Sequence, residues 1–250
     1  MLTVERFDYI LDRLQHHGVV HSSELMKALD VSESTIRRDL SELEERGELV
    51  RIHGGAKLVR EMNSEQSIQE KTHINQEAKE AIAKYAASLV EKEEFIYMDA
   101  GSTTFAMLKY LQGKNITVVT NGIQHAGQLS ELGVRVYTLG GRIKNQTQAI
   151  IGSLALEQLS GMRFSRVFLG MNSIDIDGGF TTPDPEEAVL KRHAAEQGER
   201  LYILADSSKF GGVSFARVLP LDGQTVIVEQ LSDQMKEKFD EFIHIREVSE

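Results

Sequence analysis

Apolar positions in the first sixty residues recur with helical spacing. Phe7, Ile10, Leu11 and Leu14 follow the i, i+3, i+4, i+7 stripe of an amphipathic helix, and Gly18 after His16-His17 marks its stop. Ser22 is placed to cap a second helix in which Leu25 and Leu29 share a face. Asp30-Val31 make a tight connection, and Ser32 then caps a third helix whose Ile36, Leu40 and Leu43 line one side. At about 100° per residue, Ser34, Arg38, Ser41 and Glu45 face away from that stripe, flanked by Thr35 and Arg37. Residues 49–59 read as two short strands around the Gly54-Gly55 turn.

The pattern changes after residue 59. Residues 60–74 are polar and weakly periodic, as a linker with at most a helical turn or two. Helical spacing resumes with Ala78, Ala81, Ile82, Tyr85 and Leu89. Apolar runs then alternate with helical stretches. Phe95–Met98 is uninterrupted, as expected of a strand buried on both faces. Residues 116–119, 134–139, 166–169, 201–205 and 225–228 are further strand candidates; residues 105–111, 153–159 and 186–196 read as helices. The expected organisation is a winged helix-turn-helix domain over 1–59, a linker over 60–74 and a larger α/β domain with a mainly parallel sheet over 75–250.

Composition narrows the classes. The 250 residues are 41% hydrophobic and 26% charged, enough for a core. The absence of cysteine removes disulfides and thiolate chemistry and fits a reducing compartment. No apolar run approaches the roughly 18 residues that span a bilayer, and MLTVERFDYI lacks a signal-peptide pattern, so a cytoplasmic protein is expected. The net charge of -10 argues against general coating of nucleic acid. Residues 1–60 hold nine Lys/Arg against eleven Asp/Glu, but residues 51–60 contain Arg51, Lys57 and Arg60 with no acid. The histidines show no metal-ligand spacing, and neither a metal nor a cofactor is expected.

The third helix offers hydroxyls and guanidinium groups, which suit base edges and phosphates. A basic hairpin follows it, carrying Arg51, His53 and Lys57 toward the DNA backbone or minor groove. The plainer reading is a three-helix domain with a solvated face, its arginines paired with Glu33, Glu42 or Glu45. The order helix, helix, turn, arginine-bearing helix, basic wing favours double-stranded DNA. The expected DNA-contacting set is Ser22, Ser32, Ser34, Thr35, Arg37, Arg38, Ser41, Arg51, His53 and Lys57.

In parallel sheets, ligands bind beyond the carboxyl ends of the strands. Here those ends read Asp99-Ala100-Gly101-Ser102-Thr103-Thr104, Thr120-Asn121-Gly122, Gly140-Gly141-Arg142, Gly170-Met171-Asn172 and Asp206-Ser207-Ser208-Lys209-Phe210-Gly211. Gly101-Ser102-Thr103-Thr104 is the sharpest: N–H groups, hydroxyls and a helix start converge where an anion would sit. A plain N-cap is the bland alternative. Asp99 would repel a phosphate against it but accept hydrogen bonds from neighbouring hydroxyls, so a phosphorylated polyol fits both, with Lys209 as the compensating cation. Asp184-Pro185-Glu186-Glu187 makes a near-ideal helix start, and Glu187 and Lys191 are spaced for an i, i+4 pair.

STIRRDLSELEERGELVRIHGGA resembles the winged-helix signature of DeoR-family bacterial repressors. DAGSTT, the TN after the next strand, the GG, FTTPDPEEAVLKR and DSSKFG resemble that family's effector domain, so nearly the whole chain is covered. The resemblance implies a fold similar to ribose-5-phosphate isomerase and a phosphorylated sugar as ligand. It places Asp99, Gly101, Ser102, Thr103, Thr104, Asn121, Lys191 and Lys209 in the effector pocket. Many members carry an Asp and a Gly where this chain has Asn172 and Ser173.

The expected function is repression of a sugar-metabolism operon by a homo-oligomer, dimer or tetramer, whose operator affinity is set by the sugar phosphate. Two alternatives stand beside it. One is a sugar-phosphate isomerase with an appended DNA-binding domain, casting Asp99, Glu187 and Lys191 in the chemistry, although the glycine-rich loop of the pentose-phosphate isomerases is missing. The other is a sensor whose first domain binds a protein partner.

Overall fold

The computed structural model describes residues 2–17, 19–52, 54–58 and 67–248. It forms two compact units, Met1–Glu61 with His73–Asn75, and Met62–Thr72 with Gln76–Glu250.

The first unit contains α1 (Thr3–His17), β1 (Val19–His21), α2 (Ser22–Leu29), α3 (Glu33–Glu45), β2 (Leu49–Ile52) and β3 (Gly55–Leu58). The apolar stripes meet in one core of Phe7, Ile10, Leu14, Val20, Leu25, Leu29, Ile36, Leu40 and Leu43, closed by Leu49 and Ala56. The wing is more than a hairpin: β1 joins it, giving the antiparallel order β1-β3-β2. That strand explains a correction. Ser22 does not cap α2; His21 holds the N-cap position without a side-chain bond, because β1 runs directly into the helix. The Ser22 N–H is satisfied by the Gly54 carbonyl at 2.7 Å instead. Both wing glycines are required: Gly54 has φ +81°, and a Cβ at Gly55 would lie 1.9 Å from the Val20 carbonyl oxygen.

The second unit opens with α4 (Ile68–His73) and α5 (Gln76–Ser88). Residues 59–66 lie outside the described residues; within the stretch read as a linker, Ile68 is buried and its N–H donates to the Gln146 carbonyl at 3.1 Å. There follow β4 (Phe95–Met98), α6 (Ser102–Met107) continued by a 3-10 turn (Leu108–Leu111), β5 (Thr117–Thr120), α7 (Ile123–Glu131) and β6 (Arg135–Thr138). Then come β7 (Arg142–Lys144), β8 (Ala149–Ile151), α8 (Ser153–Ser160), β9 (Phe164–Gly170), β10 (Ser173–Asp175), β11 (Gly179–Thr182) and α9 (Pro185–Glu196). The chain closes with β12 (Gly198–Leu204), β13 (Ala216–Leu219), β14 (Thr225–Val228), α10 (Asp233–Phe239) and β15 (His244–Glu247).

Seven of these strands form a parallel sheet in the order β15-β14-β12-β9-β4-β5-β6. Successive residues go to opposite faces, as the two-residue period of a strand requires. Ile96, Met98, Val118 and Phe168 pack beneath α5, α6 and α7, whereas Tyr97, Val119, Val167 and Leu169 pack with α8, α9 and α10. Both faces are therefore covered, which is why the strands read as apolar runs. The chain starts at β4, adds β5 and β6 on one side, then crosses over to β9 and builds outward. The order reverses between β4 and β9, and a doubly wound sheet opens a crevice at such a point.

Gly140-Gly141-Arg142 departs from its expected part in the strand-end site. Gly141 turns the chain into the β7–β8 hairpin, and Arg142 pairs with Glu186. Among the described residues no helix is long and apolar enough to cross a membrane.

Candidate functional site

The exposed face of α3 is built by a cap, a stripe and an ion pair. Ser32 accepts from the Thr35 N–H at 3.3 Å, and its hydroxyl lies 2.9 Å from those of Ser34 and Thr35. Ile36, Leu40 and Leu43 fix the inner face. Asp39 is also buried and receives a bidentate pair from Arg6 of α1, at 2.7 and 2.8 Å, which sets the rotation of α3. Ser34, Arg37 and Arg38 are left exposed, with Thr35 and Ser41 half-buried beside them. Glu42 pairs with Arg46, and neither Arg37 nor Arg38 has an acidic partner among the described residues. The Arg51 guanidinium donates to Ser41 Oγ at 2.7 Å, and Ser41 donates to the Arg37 carbonyl at 2.8 Å, so wing and helix are tied together. Lys57 lies on β3 opposite Val19 and Val50, Ser22 is half-buried in the first turn of α2, and His53 lies outside the described residues.

A second constellation occupies the β4/β9 crevice. Asp99, almost wholly buried, follows β4. One carboxylate oxygen accepts from the Gly170 N–H at 2.8 Å and from the Lys191 ammonium; the other accepts from the Gly101 N–H at 3.1 Å and Thr104 Oγ1 at 2.9 Å. Lys191 also reaches the Gly170 carbonyl at 2.9 Å, bridging the ends of β4 and β9 from α9. Gly101 is dictated by this packing, since a Cβ there would stand 2.9 Å from Asp99 Oδ1. Asp99 is thus less available to a ligand than expected: its lone pairs already hold the loop and Lys191. The expected Glu187–Lys191 pair is replaced as well. Lys191 turns to Asp99, while Glu187 accepts from Thr147 Oγ1 at 2.7 Å and pairs with Lys144 at 3.3 Å.

Thr103 is buried and Ser102 half-buried. Ser102 also borders a groove of about 340 Å³ lined by Thr72, Gln76, Lys79 and Phe105. Asn121, at the end of β5, accepts from Tyr97 Oη at 3.1 Å and donates to the Ile150 carbonyl at 3.1 Å. Lys209 lies past β12, two strands from β4, 3.6 Å from the buried Asp206. The crevice therefore brings together Asp99, Gly101, Thr104 and Lys191, while Asn121 ends the neighbouring β5 and is bonded to Tyr97 of β4.

His125 is the residue that sequence reasoning missed here. It is buried beneath the loop, its Nε2 3.1 Å from the Gly101 carbonyl and 3.2 Å from Thr104 Oγ1, with Phe105 edge-on at 5.2 Å between ring centroids. Burial pushes its pKa down to about 4, with Lys191 acting in the same direction against Asp99 and the Gly101 carbonyl, so the ring is neutral near pH 7. The available signal was its place four residues before Leu129 on the inner face of α7.

Comparison with known proteins gives these two surfaces a context. The model of the DeoR-like helix-turn-helix domain matches residues 6–62, and that of the DeoR C terminal sensor domain matches residues 74–230. The chain belongs to the DeoR family. Similar family members include FruR of Bacillus subtilis, an uncharacterized HTH-type transcriptional regulator, 43% identical over 96% of each chain. The lactose phosphotransferase system repressor of Staphylococcus epidermidis is 33% identical, over 96% of this chain and 98% of its own. The HTH-type transcriptional repressor GlcR of Bacillus subtilis is 33% identical, over 94% and 91%. Among solved structures, ribose 5-phosphate isomerase A of Neisseria gonorrhoeae overlaps 53% of this chain and 52% of its own, with 18% identity and a TM-score of 0.40. A translation initiation factor of Pyrococcus horikoshii overlaps 84% and 82%, with 15% identity and a TM-score of 0.46.

In this DeoR-family chain the side chains of Asn172 and Ser173 are both engaged internally. Asn172 Oδ1 accepts from Thr182 Oγ1 at 3.0 Å, and Ser173 and Ser214 share a buried hydroxyl contact at 3.1 Å.

Proposed function

We propose that this protein is a cytoplasmic transcriptional repressor of a sugar-metabolism operon. It binds double-stranded operator DNA as a homo-oligomer and loses operator affinity when a phosphorylated sugar occupies the β4/β9 crevice. One observation carries the reading: a sensor-domain match falls on a sheet whose switch point gathers Asp99, Gly101, Thr104 and Lys191, and it follows in the chain a winged helix that leaves Arg37 and Arg38 exposed. The names of the lactose phosphotransferase system repressor and GlcR support sugar utilisation as the controlled process. In this reading Ser34, Thr35, Arg37, Arg38 and Ser41 face base edges and phosphates, with Ser22, Ser32, Arg51, His53 and Lys57 around them. Ser102, Thr103, Asn121 and Lys209 complete the effector site, and no catalysis is assigned. A proton shuttle needs a carboxylate free to reach substrate, whereas Asp99 and Glu187 are both engaged by neighbouring groups.

The test is operator binding by the full chain, using promoter DNA beside its own gene, against hexose and pentose monophosphates. Release by at least one of them is the expected result. Release by none, or turnover of any, defeats the reading.

A further inference from the structure

A sensor that controls DNA must connect its crevice to the chain entering it from the DNA-binding unit. The β7–β8 hairpin meets the crevice on one side and α4 on the other. From the crevice, Asn121 binds its second strand twice: Asn121 Nδ2 donates to the Ile150 carbonyl at 3.1 Å, and the Ile150 N–H donates to the Asn121 carbonyl at 2.7 Å. The Ile123 N–H adds a bond to the Gln148 carbonyl at 3.1 Å. From α9, the element that carries Lys191 to Asp99, three acids engage the hairpin. Asp184 pairs with Lys144 at 2.9 Å, Glu187 with Lys144 and the buried Thr147 hydroxyl, and Glu186 with Arg142.

The hairpin tip turns to α4. The Gln146 carbonyl, next to Thr147, accepts from the Ile68 N–H at 3.1 Å, and Ile68 is buried. Among the described residues, Ile68 begins the next helix after β3 (Gly55–Leu58). A movement of Lys191 or Asn121 on ligand binding therefore acts on both sides of one hairpin, and the hairpin holds the start of α4. Thr147 and Glu187 are the joint: a buried hydroxyl–carboxylate bond is short and directional, so it transmits displacement where an exposed ion pair would slip.

We infer that the β7–β8 hairpin is the element that carries the state of the crevice to α4, with the Thr147–Glu187 contact as its coupling joint. This rests on the effector reading above for what occupies the crevice, but the mechanical connection does not.

Two full-chain variants test it, Thr147→Val, which keeps shape and removes the hydroxyl, and Lys144→Gln. The first arm needs no ligand. Backbone hydrogen exchange over residues 68–72 is expected to speed up by about fivefold or more in a folded variant, while exchange in β4 and β5 is unchanged. The second arm measures operator affinity with and without each hexose and pentose monophosphate. The variants should keep wild-type operator affinity without sugar and bind the sugar within about twofold, yet show a release ratio at least about fivefold smaller, the scale of a typical coupling. Unchanged exchange at 68–72 in either folded variant overturns the inference, as does an unchanged release ratio. If no sugar phosphate moves the wild-type protein off DNA while exchange at 68–72 still responds to Thr147→Val, the effector reading fails and the hairpin connection stands.

Discussion

Arg37 and Arg38 leave α3 exposed and without an acid against either among the described residues. A guanidinium in that state is ready to form bidentate contacts, and no existing pair must be broken first. Arg38→Ala or Arg37→Ala is expected to lose about 1–3 kcal/mol of operator binding where the residue reads a base. Competition against mutated operators identifies which arginine that is, because removing a base contact also relaxes specificity at one position. His125 makes a different prediction. Its pKa of about 4 in the folded chain lies below the ordinary 6.5, so on acidification the unfolded chain takes up a proton that the native chain refuses. The associated stability is intact above pH 6.5, drains as pH falls, and is gone near pH 4, a loss on the order of 3 kcal/mol. Urea unfolding of wild type and His125→Gln over that range checks it: the two stabilities should converge as pH falls. A constant gap means that His125 titrates normally.

The elements that local chemistry specifies are the ones the sequence made legible. The helical stripe of α3, its Ser32 cap and the apolar run of β4 depend on neighbours within a few residues, and they were readable. The pairing of β4 with β9 was not, because it joins positions some seventy apart by contacts that no local pattern encodes. The crevice was therefore legible as a set of strand ends, but its internal wiring was hidden. A lysine spaced for an i, i+4 partner on α9 instead reaches across to Asp99. For the same reason no local pattern marks β1, three residues long, and Ser22 reads as a cap that the structure does not use. The start of α9 shows the opposite case. Asp184 accepts from the Glu186 and Glu187 N–H groups at 2.8 and 3.2 Å, as its sequence position implies, and it also holds Lys144. Burial opposes ionisation of Asp184, but Lys144 and these N–H groups outweigh it and hold its pKa below the usual value. Asp184→Ala should therefore cost about 1–2 kcal/mol, at or above an ordinary cap loss, and chemical denaturation of the full chain measures it. A change below about half a kilocalorie would mean that Lys144 and the cap contribute little.

At the scale of the molecule, charge and recognition pull in opposite directions. The chain carries a net charge of -10, most of it beyond residue 60, yet its proposed operator contacts are cationic. Each phosphate contact releases counterions and makes binding fall with salt, with a slope of about -0.9 per contact. A basic protein would show that slope down to low ionic strength. Here the acids beyond residue 60 repel DNA as well, and their reach is set by screening, about 8 Å at 0.15 M salt but about 30 Å at 0.01 M. Near physiological salt the acids are screened and the local arginines dominate. As salt is lowered, the repulsion extends over the whole chain and offsets part of the gain from the contacts. The logarithm of operator affinity against the logarithm of salt should therefore curve, steep at high salt and flatter below about 0.1 M, where the Debye length exceeds about 10 Å. Removing Arg51, if it meets a phosphate, should lower the steep part by about one contact and leave the flat part in place. Anisotropy titrations of a labelled operator across that range decide the point, and a straight line throughout would show that the acidic surface is too far from the DNA to matter.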